Sequence, residues 1–372
     1  MLFINYSMKI FEVIPQLSQG GAERFVVDLS NCLSRRHDVS LIVLHSVDDD
    51  SFLLNELSPD VRLIVMDKKK GADWSVLCRL NTLIRKEKPD VVHSHLRAIL
   101  YLAVASMSCS QTRFVHTVHS DAEQESGGGL SLLARRILFR KRIIPITISK
   151  MSRKSFEDFY GYDNELIFNG TSPYVRSVDY SETEKVLNRL RKDSSTKIVL
   201  NVARINSNKN QLALVDAVAN VRKKGYDLQL VILGDAQDLD ITAEIKRYGY
   251  PFVHLMGSKS NPRDYMALAD CFCLSSVHEG LPISLIECFS VGAVPICTPV
   301  GGIVDVIEDG VNGILCESTA VSHIEQALLR FLEMDTDRID AMKRASLGSY
   351  AHYNMEACSS NYELMMSRLC EK

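Results

Sequence analysis

The stretch SSVHEGLPISLIECFSVGAVPICTPVGG, from Ser275 to Gly302, decides both the fold and the chemistry expected of this chain. Pro282 suits the first position of a helix, so Glu279 is expected on the loop before that helix and Glu287 on the helix itself. Carboxylates accept strong hydrogen bonds from hydroxyl groups, and a helix N-terminus attracts phosphate. The residues alone therefore indicate either a sugar-phosphate site or a surface helix that carries two solvated acids.

Short apolar runs alternate with helical patterns on both sides of this stretch. The runs are continuous rather than alternating, as in strands that are covered on both faces. Apolar residues at helical spacing follow Gly21 and again follow Lys209. This alternation predicts an α/β protein with parallel sheets and right-handed crossovers. The predicted strands are Lys9–Ile14, Val39–Leu44, Val61–Val65, Asp90–His93, Phe114–Val118, Ile144–Ile148, Lys197–Val202, Leu228–Leu233, Phe252–Leu255, Cys271–Leu274, Val294–Cys297 and Gly313–Cys316.

The chain length and one break in this rhythm predict two domains. At about 150 residues per domain, a length of 372 residues suggests two cores. The break lies between about Ser172 and Ser195, a stretch rich in Ser, Asp, Glu, Lys and Arg. We expect Rossmann-like domains over residues 1–172 and 195–353, joined by a linker over 173–194. Ligands are expected in the cleft, at the carboxyl ends of the strands.

The composition excludes several classes of protein. Hydrophobic residues make up 46% and charged residues 24%, as in soluble globular proteins. The 43 basic and 46 acidic residues nearly balance, so no nucleic-acid partner is expected. The sequence has no apolar run of roughly 20 residues and no secretory signal at its start. Most of the 10 cysteines lie in apolar runs without a CxxC pair, which predicts reduced thiols in a cytoplasmic protein.

Several further motifs occur in a fixed order along the chain. They are GGAER at 20–24, DVVHSH at 90–95, HTVH at 116–119, FNG at 168–170, AR at 203–204, KN at 209–210, EGLP at 279–282 with Glu287, GAVP at 292–295, GG at 301–302, and DG at 309–310 with NG at 312–313. Together they closely resemble glycosyltransferase family 4 over nearly the whole chain. The resemblance implies a retaining transferase that uses a nucleotide sugar. It also implies the GT-B fold, in which two Rossmann-like domains face a cleft and a C-terminal helix, here about 354–370, crosses back to the N-terminal domain.

The resemblance implies roles for individual residues of the donor site. Arg204 and Lys209 would neutralise the diphosphate leaving group, whose negative charge grows as the bond to the sugar breaks. Glu287 would hold the ribose hydroxyls, and Glu279 would contact hydroxyls of the transferred sugar. Further implied donor contacts are Gly21, Met256 and Ser258 beside the base, Gly280, Leu281, and the amides of Ser284 and Leu285 at the phosphates.

His119 is implied as a fourth catalytic residue, placed against the donor sugar. His93, His95 and His116 stand at spacings that zinc sites also use. The residues alone leave open a metal site or histidines that merely flank strand ends. The resemblance implies no catalytic metal, because the basic pair supplies the positive charge. We therefore predict no metal and no cofactor, with the nucleotide sugar as co-substrate.

A basic helix is predicted over LSLLARRILFRKR at 130–142. Apolar residues recur at helical spacing, with basic residues between and after them. One interpretation is contact with an anionic membrane or with the diphosphate of a lipid-linked acceptor. The other is a core helix with a solvated basic face. The predicted acceptor or membrane contacts are Gly20, Arg135, Arg136 and Arg140.

The resulting hypothesis is a metal-independent, retaining transfer of a hexose or N-acetylhexosamine from a nucleotide sugar. UDP is the expected nucleotide, on its frequency in the family. The acceptor would be a glycan or a polyprenyl-linked glycan of bacterial surface polysaccharide or glycoconjugate biosynthesis, reached in the cytoplasm or at the inner face of the plasma membrane. Alternatives are a GT-B sugar-nucleotide epimerase or phosphorylase and a non-catalytic nucleotide-sugar-binding or membrane-scaffolding protein. A NAD-dependent dehydrogenase is disfavoured because no GxGxxG follows the first strand of either half.

Overall fold

The computed structural model describes residues 7–18, 20–47 and 52–371. It divides into two compact units, of which the first combines the chain up to Ser172 with the chain from Met355 onward. The second unit is Pro173–Asn354. Residues 1–6, on which the argument about a secretory signal depends, lie outside the described residues. No helix in the described part of the chain has the length and hydropathy needed to cross a bilayer.

The first unit is a parallel sheet with helical connections. Its strands are β1 (Lys9–Ile14), β2 (Asp38–Val43), β3 (Arg62–Val65), β4 (Val91–His95), β5 (Arg113–Val118), β6 (Ile143–Thr147) and β7 (Glu165–Leu166). Its helices up to residue 172 are α1 (Gly21–Leu33), α2 (Phe52–Asn55), α3 (Trp74–Glu87), α4 (Ala103–Ser108), α5 (Ala122–Ser126), α6 (Gly129–Lys141) and α7 (Lys150–Tyr160). The strand order is β3-β2-β1-β4-β5-β6-β7.

The second unit repeats this architecture. Its helices are α8 (Tyr180–Leu190), α9 (Gln211–Lys223), α10 (Leu239–Arg247), α11 (Pro262–Leu268), α12 (Ile283–Val291), α13 (Ile303–Val306), α14 (Val321–Leu332) and α15 (Thr336–Ser349). Its strands are β8 (Lys197–Val202), β9 (Leu228–Leu233), β10 (Val253–Leu255), β11 (Cys271–Leu274), β12 (Pro295–Cys297) and β13 (Ile314–Leu315). The order is β10-β9-β8-β11-β12-β13, with every pair parallel.

The last helix, α16 (Met355–Cys370), belongs to the first unit and packs on α1 and β5. The backbone N–H of Met355 donates to the carbonyl of Thr171 at 2.9 Å, and Tyr362 is fully buried. Cys32 Sγ lies 3.0 Å from Ser359 Oγ, which ties α1 to α16. The predicted C-terminal helix that returns to the first domain is confirmed.

Each sheet has one point at which the strand order reverses, beside β1 and β4 in the first unit and beside β8 and β11 in the second. The loops that leave such strands diverge, and ligands bind in the crevice that opens there. Of the motifs singled out in the sequence, GGAER follows β1, AR and KN follow β8, and EGLP follows β11. The topology therefore brings them to the edge of each sheet where a ligand site forms.

Each of the twelve predicted runs overlaps a strand, with ends that differ by up to two residues, and the prediction missed β7, which has only two residues. The segment 173–194, predicted as a linker, belongs to the second unit and is structured. It contains α8, which packs on α11, and its Tyr174 and Ser177 side chains donate to buried Asp264. Two polar residues of this segment therefore satisfy one buried carboxylate. All ten cysteines are free thiols.

Candidate active site

Lys209 and Glu279 form the centre of the predicted donor site in the second unit. Lys209 ends a short 3₁₀ turn that follows β8, and Asn206 Oδ1 caps this turn by accepting from the Lys209 backbone N–H at 3.1 Å. Glu279 follows β11. Lys209 Nζ donates to Glu279 Oε1 at 2.6 Å, and Ser276 Oγ donates to the same oxygen at 2.6 Å. The fold thus brings together two predicted residues that are 70 positions apart in the sequence.

Arg204 lies on the same edge, two residues beyond the end of β8. Its guanidinium is half-buried and makes no ion pair with any residue in the described part of the chain. Its carbonyl accepts from Gln211 Nε2 at 3.0 Å, which holds the backbone. A Cβ on Gly234 would lie 2.0 Å from the carbonyl oxygen of Ala203, so only glycine permits the close packing of the β8 and β9 ends. Sequence reasoning missed Gly234, although its position directly after an apolar run was a signal.

Two glycines hold the loop that carries Glu279. Gly301 has a φ of +52°, and a Cβ there would lie 1.7 Å from the carbonyl oxygen of Glu279. The N–H of Gly302 donates to the carbonyl of Gly280 at 2.5 Å. The sequence showed this glycine pair as a motif, but its contact with the Glu279 loop appears only in the structure.

Helix α12 carries Glu287 as predicted, but its first turn differs from the prediction. Pro282 is the N-cap, with an extended ψ of 127°, and not the first helical residue. The N–H of Leu285 already donates to the Pro282 carbonyl at 3.1 Å, so this amide is not free for a phosphate. The Ser284 amide stays a candidate. Glu287 is mostly buried.

The remaining predicted donor contacts lie at or near the same sheet edge. Met256 follows β10, and its N–H donates to the carbonyl of Ile232 at 3.0 Å. Ser258 Oγ donates to Asp235 Oδ1 at 2.6 Å. Leu281 is buried beneath the Glu279 loop and can offer a ligand only its backbone.

In the first unit, Gly20 and Gly21 begin α1, with Gly20 as the N-cap. A Cβ on Gly20 would meet Glu23 Oε2 at 2.3 Å, and Glu23 is itself buried and accepts from Ser18 Oγ at 2.8 Å. The glycine pair therefore lets the chain pass close to a buried carboxylate as it leaves β1. Gly21 is exposed at the start of the helix.

His119 follows β5 and belongs to a buried group that the sequence did not predict. His95 Nδ1 lies 2.9 Å from His119 Nε2, and His95 Nε2 lies 2.8 Å from Glu12 Oε2. His93 Nδ1 lies 3.0 Å from the same Glu12 oxygen. Burial alone would raise the pKa of Glu12, but the charges and hydrogen bonds of His93 and His95 outweigh burial and hold the pKa at about 2. The sequence did carry a signal for this buried group, because Glu12 stands inside the apolar run of β1.

Three of these residues offer atoms of the kind that bind metals. Ligand atoms of Glu12, His93 and His95 lie within 4.8 Å of one another, and all three side chains are fully buried. Their nitrogen and oxygen atoms are already joined by hydrogen bonds. His116 lies apart from this group and contacts Ser94 Oγ and Glu125 Oε1. The absence of a metal stays a prediction.

Comparison with known proteins identifies the family. The model of Glycosyltransferase Family 4 matches residues 19–173, and that of Glycosyl transferases group 1 matches residues 182–352. The chain belongs to the family 4 glycosyltransferases. It is an enzyme of that class, and its fold is GT-B. The structure of HepE from Anabaena in complex with UDP-glucose has a TM-score of 0.82 at 18% identity, covering 97% of this chain and 100% of the other.

Curated relatives of this glycosyltransferase come from several organisms. The "GalNAc-alpha-(1->4)-GalNAc-alpha-(1->3)-diNAcBac-PP-undecaprenol alpha-1,4-N-acetyl-D-galactosaminyltransferase" of Campylobacter jejuni is 25% identical over 83% of this chain and 84% of its own length. The capsular polysaccharide biosynthesis glycosyltransferase CapH of Staphylococcus aureus is 25% identical over 75% and 78%. The structure of WaaG, a glycosyltransferase of lipopolysaccharide biosynthesis, has a TM-score of 0.75 at 14% identity, covering 96% and 99%.

The basic helix of this glycosyltransferase, α6, is oriented differently from the core-helix interpretation, and one of its basic residues is buried. Arg135 is only 1% exposed, and its guanidinium donates to Glu125 Oε1 and to the carbonyl of Leu96, each at 3.1 Å. The prediction that Arg135 contacts an acceptor or membrane is therefore wrong, because Arg135 is buried in an ion pair with the Glu125 carboxylate. Arg136 and Arg140 are exposed as predicted. The exposed face also carries Leu130, Leu133 and Ile137, which the core-helix interpretation placed inside.

Proposed function

We propose that this glycosyltransferase moves a hexose or N-acetylhexosamine from a UDP-sugar to a lipid-linked glycan, with retention of the anomeric configuration and without a metal. The observation that carries the proposal is the basic pair at the β8–β11 edge. There Arg204, which has no ion-pair partner among residues 7–18, 20–47 and 52–371, lies on the same sheet edge as Lys209, which is bound to Glu279. A diphosphate binds where positive charge is held and not yet neutralised.

The reaction breaks the bond between the anomeric carbon and the diphosphate oxygen. A new bond forms from the acceptor hydroxyl to that carbon, and the hydroxyl proton passes to the departing phosphate oxygen. Negative charge therefore grows on the diphosphate in the transition state. Arg204 and Lys209 stabilise this charge, which is the work that a metal ion does in other transferases.

Retention by double displacement needs a carboxylate nucleophile beneath the sugar. Glu279 already accepts hydrogen bonds from Lys209 and Ser276, which suits a carboxylate that positions sugar hydroxyls rather than one that attacks. Attack from the face of the leaving group needs no such nucleophile. We therefore assign front-face transfer to this enzyme.

The nucleotide and the acceptor are proposed from the relatives. HepE, which shares the fold, was solved with UDP-glucose, and the Campylobacter relative is named for an undecaprenol diphosphate glycan. Glu287 on α12 would hold the ribose. The names of the Campylobacter and Staphylococcus relatives support a role in polysaccharide or glycoconjugate assembly.

Helix α6 supports contact with an anionic membrane that holds such an acceptor. Leu130 is 86% exposed, and Leu133 and Ile137 are also largely exposed, on a helix whose other exposed residues include Arg136 and Arg140. An exposed apolar row beside basic residues fits the boundary between acyl chains and anionic headgroups. On this basis we propose that the enzyme acts as a peripheral protein on the cytoplasmic face of the membrane.

The donor assignment is tested by thermal shift with UDP-, GDP- and ADP-sugars in the presence of EDTA. A ligand at about 100 times its Kd stabilises the folded state by ~2.7 kcal/mol, which gives a measurable rise in Tm for one nucleotide class. Arg204→Ala is expected to abolish this shift and to lower turnover by about 100-fold or more. Arg247→Ala is the matched control, because Arg247 is exposed on α10 in the same unit.

Two outcomes would contradict this proposal. If folded Arg204→Ala turned over at the same rate as Arg247→Ala, Arg204 would have no role in stabilising the leaving group. Strict loss of activity in EDTA, restored by Mg²⁺ or Mn²⁺, would overturn metal independence.

Membrane contact is tested by flotation with vesicles of phosphatidylcholine, with and without phosphatidylglycerol. Leu133→Ser with Ile137→Ser, and separately Arg136→Gln with Arg140→Gln, are expected to lose binding to the anionic vesicles. Leu239→Ser is the control, because Leu239 is even more exposed than Leu133 and Ile137 but lies in the second unit. Unchanged binding by both double variants would exclude α6 as the contact.

A further inference from the structure

Two chains of hydrogen bonds converge on Glu12 in the interior of the first unit. In one chain, His95 Nε2 lies 2.8 Å from Glu12 Oε2, and His95 Nδ1 lies 2.9 Å from His119 Nε2. Glu12 and His95 are fully buried, whereas His119 is partly exposed. This chain therefore runs from a buried carboxylate to a histidine that a ligand can reach.

The other chain leads from Glu12 toward α16. His93 Nδ1 lies 3.0 Å from Glu12 Oε2, and His93 Nε2 lies 2.7 Å from Thr117 Oγ1. Thr117 Oγ1 lies 2.9 Å from the hydroxyl of Tyr362. This second hydrogen-bond chain ends in the interior at Tyr362 and does not contact His119, so it offers a matched control for the first hydrogen-bond chain.

The direction of each hydrogen bond in the first chain follows from what each group can donate. An ionised carboxylate only accepts, so His95 Nε2 carries the proton that faces Glu12. A neutral imidazole has one N–H, so His95 Nδ1 must accept, and His119 Nε2 must donate to it. Burial lowers the pKa of His119 to about 4 and that of His95 well below its ordinary value, which keeps both rings neutral.

We propose that Glu12, acting through His95, is a positioning residue that fixes His119 in the tautomer protonated at Nε2. The other ring nitrogen, Nδ1, then carries a lone pair. In the described part of the chain this nitrogen has no hydrogen-bond partner, while the ring edge packs against Phe25 with centroids 5.7 Å apart. His119 therefore presents a fixed acceptor to an incoming ligand.

This assignment limits the ligand group that His119 can bind. A lone pair accepts a hydrogen bond from a hydroxyl or an amide N–H, and it repels a carboxylate, which can only accept. Applied to the transferred sugar, where it rests on the proposed function, the inference favours a hexose hydroxyl over the carboxylate of a uronic acid. The tautomer itself does not depend on any substrate.

The test is a long-range ¹H–¹⁵N correlation spectrum of the full chain, labelled with ¹⁵N-histidine, at neutral pH without nucleotide. We expect His119 Nε2 to resonate in the protonated range and Nδ1 in the unprotonated range. In Glu12→Leu the anchor of the chain is lost, so the two His119 nitrogens are expected to shift toward a mixture of tautomers. Tyr362→Phe removes the last hydroxyl of the other hydrogen-bond chain and is expected to leave the tautomer of His119 as in the wild type.

Two results would overturn the inference. One is a wild-type His119 protonated at Nδ1, and the other is a folded Glu12→Leu whose His119 stays wholly protonated at Nε2. If Glu12→Leu does not fold, His95→Leu decides by the same criterion, because it removes the acceptor that His119 Nε2–H needs. Expected tautomers together with no thermal shift by any nucleotide sugar would refute the proposed function but not this inference.

Discussion

Replacing Gly301 by alanine is expected to displace Glu279 and thereby disable the donor site. Gly301 combines a left-handed φ of +52° with a Cβ position that lies 1.7 Å from the carbonyl oxygen of Glu279. A Cβ essentially never lies closer than 3.0 Å to such an atom, so the two backbone segments would have to separate by at least about 1.3 Å. Because Lys209 and Ser276 hold the Glu279 side chain, this movement disturbs the basic pair as well.

Two contributions set the expected loss of stability. A non-glycine residue in the left-handed region costs about 1–2 kcal/mol, and forced overpacking of a fixed backbone costs about 1–3 kcal/mol more. Gly249→Ala isolates the first contribution, because Gly249 has a φ of +61° in the same unit with nothing nearer its Cβ than an oxygen at 4.0 Å. Gly301→Ala is therefore expected to lose about 1–3 kcal/mol more than Gly249→Ala.

Urea denaturation measures this stability difference, and steady-state kinetics with the donor found by thermal shift measure its consequence. A misplacement of about 1 Å in a catalytic group costs on the order of 100-fold in rate, so kcat/KM is expected to fall by at least that factor in Gly301→Ala. Gly249→Ala is expected to keep the wild-type kcat/KM. Equal stability and equal activity of the two variants would refute the reasoning, because the contact with Glu279 would then have no energetic effect.

Three further changes probe the interiors of the two units. Arg135→Met removes the cation that is paired with the buried Glu125 carboxylate and is expected to cost about 3–5 kcal/mol in urea unfolding, whereas exposed Arg136→Met changes stability by less than about 0.5 kcal/mol; equal effects would contradict the burial of the pair. Burial alone would raise the pKa of Glu125, but the hydrogen bond from His116 and the charge of Arg135 lower it from 4.5 to about 2. The ionised form therefore stabilises the fold fully above pH 4.5, and this contribution, on the order of 3 kcal/mol, is lost as the pH falls toward 2. Glu125→Gln is expected to flatten this part of the profile, and an unchanged acid slope would count against the assignment. Asp264→Asn disturbs the hydrogen bonds that Asp264 accepts from the Tyr174 hydroxyl and the Ser177 backbone N–H in the 173–194 segment. It is expected to lower the free energy of unfolding by about 1–3 kcal/mol. A loss no greater than that of a surface substitution would show that the segment is not anchored there.

Apolar runs and short motifs along the chain were sufficient to predict the secondary structure and the family. Parallel strands buried on both faces have continuous apolar sequences, so every predicted run overlaps a strand. The motifs EGLP, AR and KN identified Glu279, Arg204 and Lys209 as candidate site residues, because short ordered motifs at strand ends are visible in the sequence.

Only the tertiary structure decided which distant groups meet. Glu12 lies in an apolar run and becomes the anchor of the His119 chain only because β1 pairs with β4, which pairs with β5. Arg135 looks like any other basic residue of its helix until the fold places Glu125 against it. Gly301 is constrained by a carbonyl more than twenty positions earlier. Sequence patterns record the periodicity of single elements, whereas burial of a charge or close approach of two backbones depends on the order in which strands assemble.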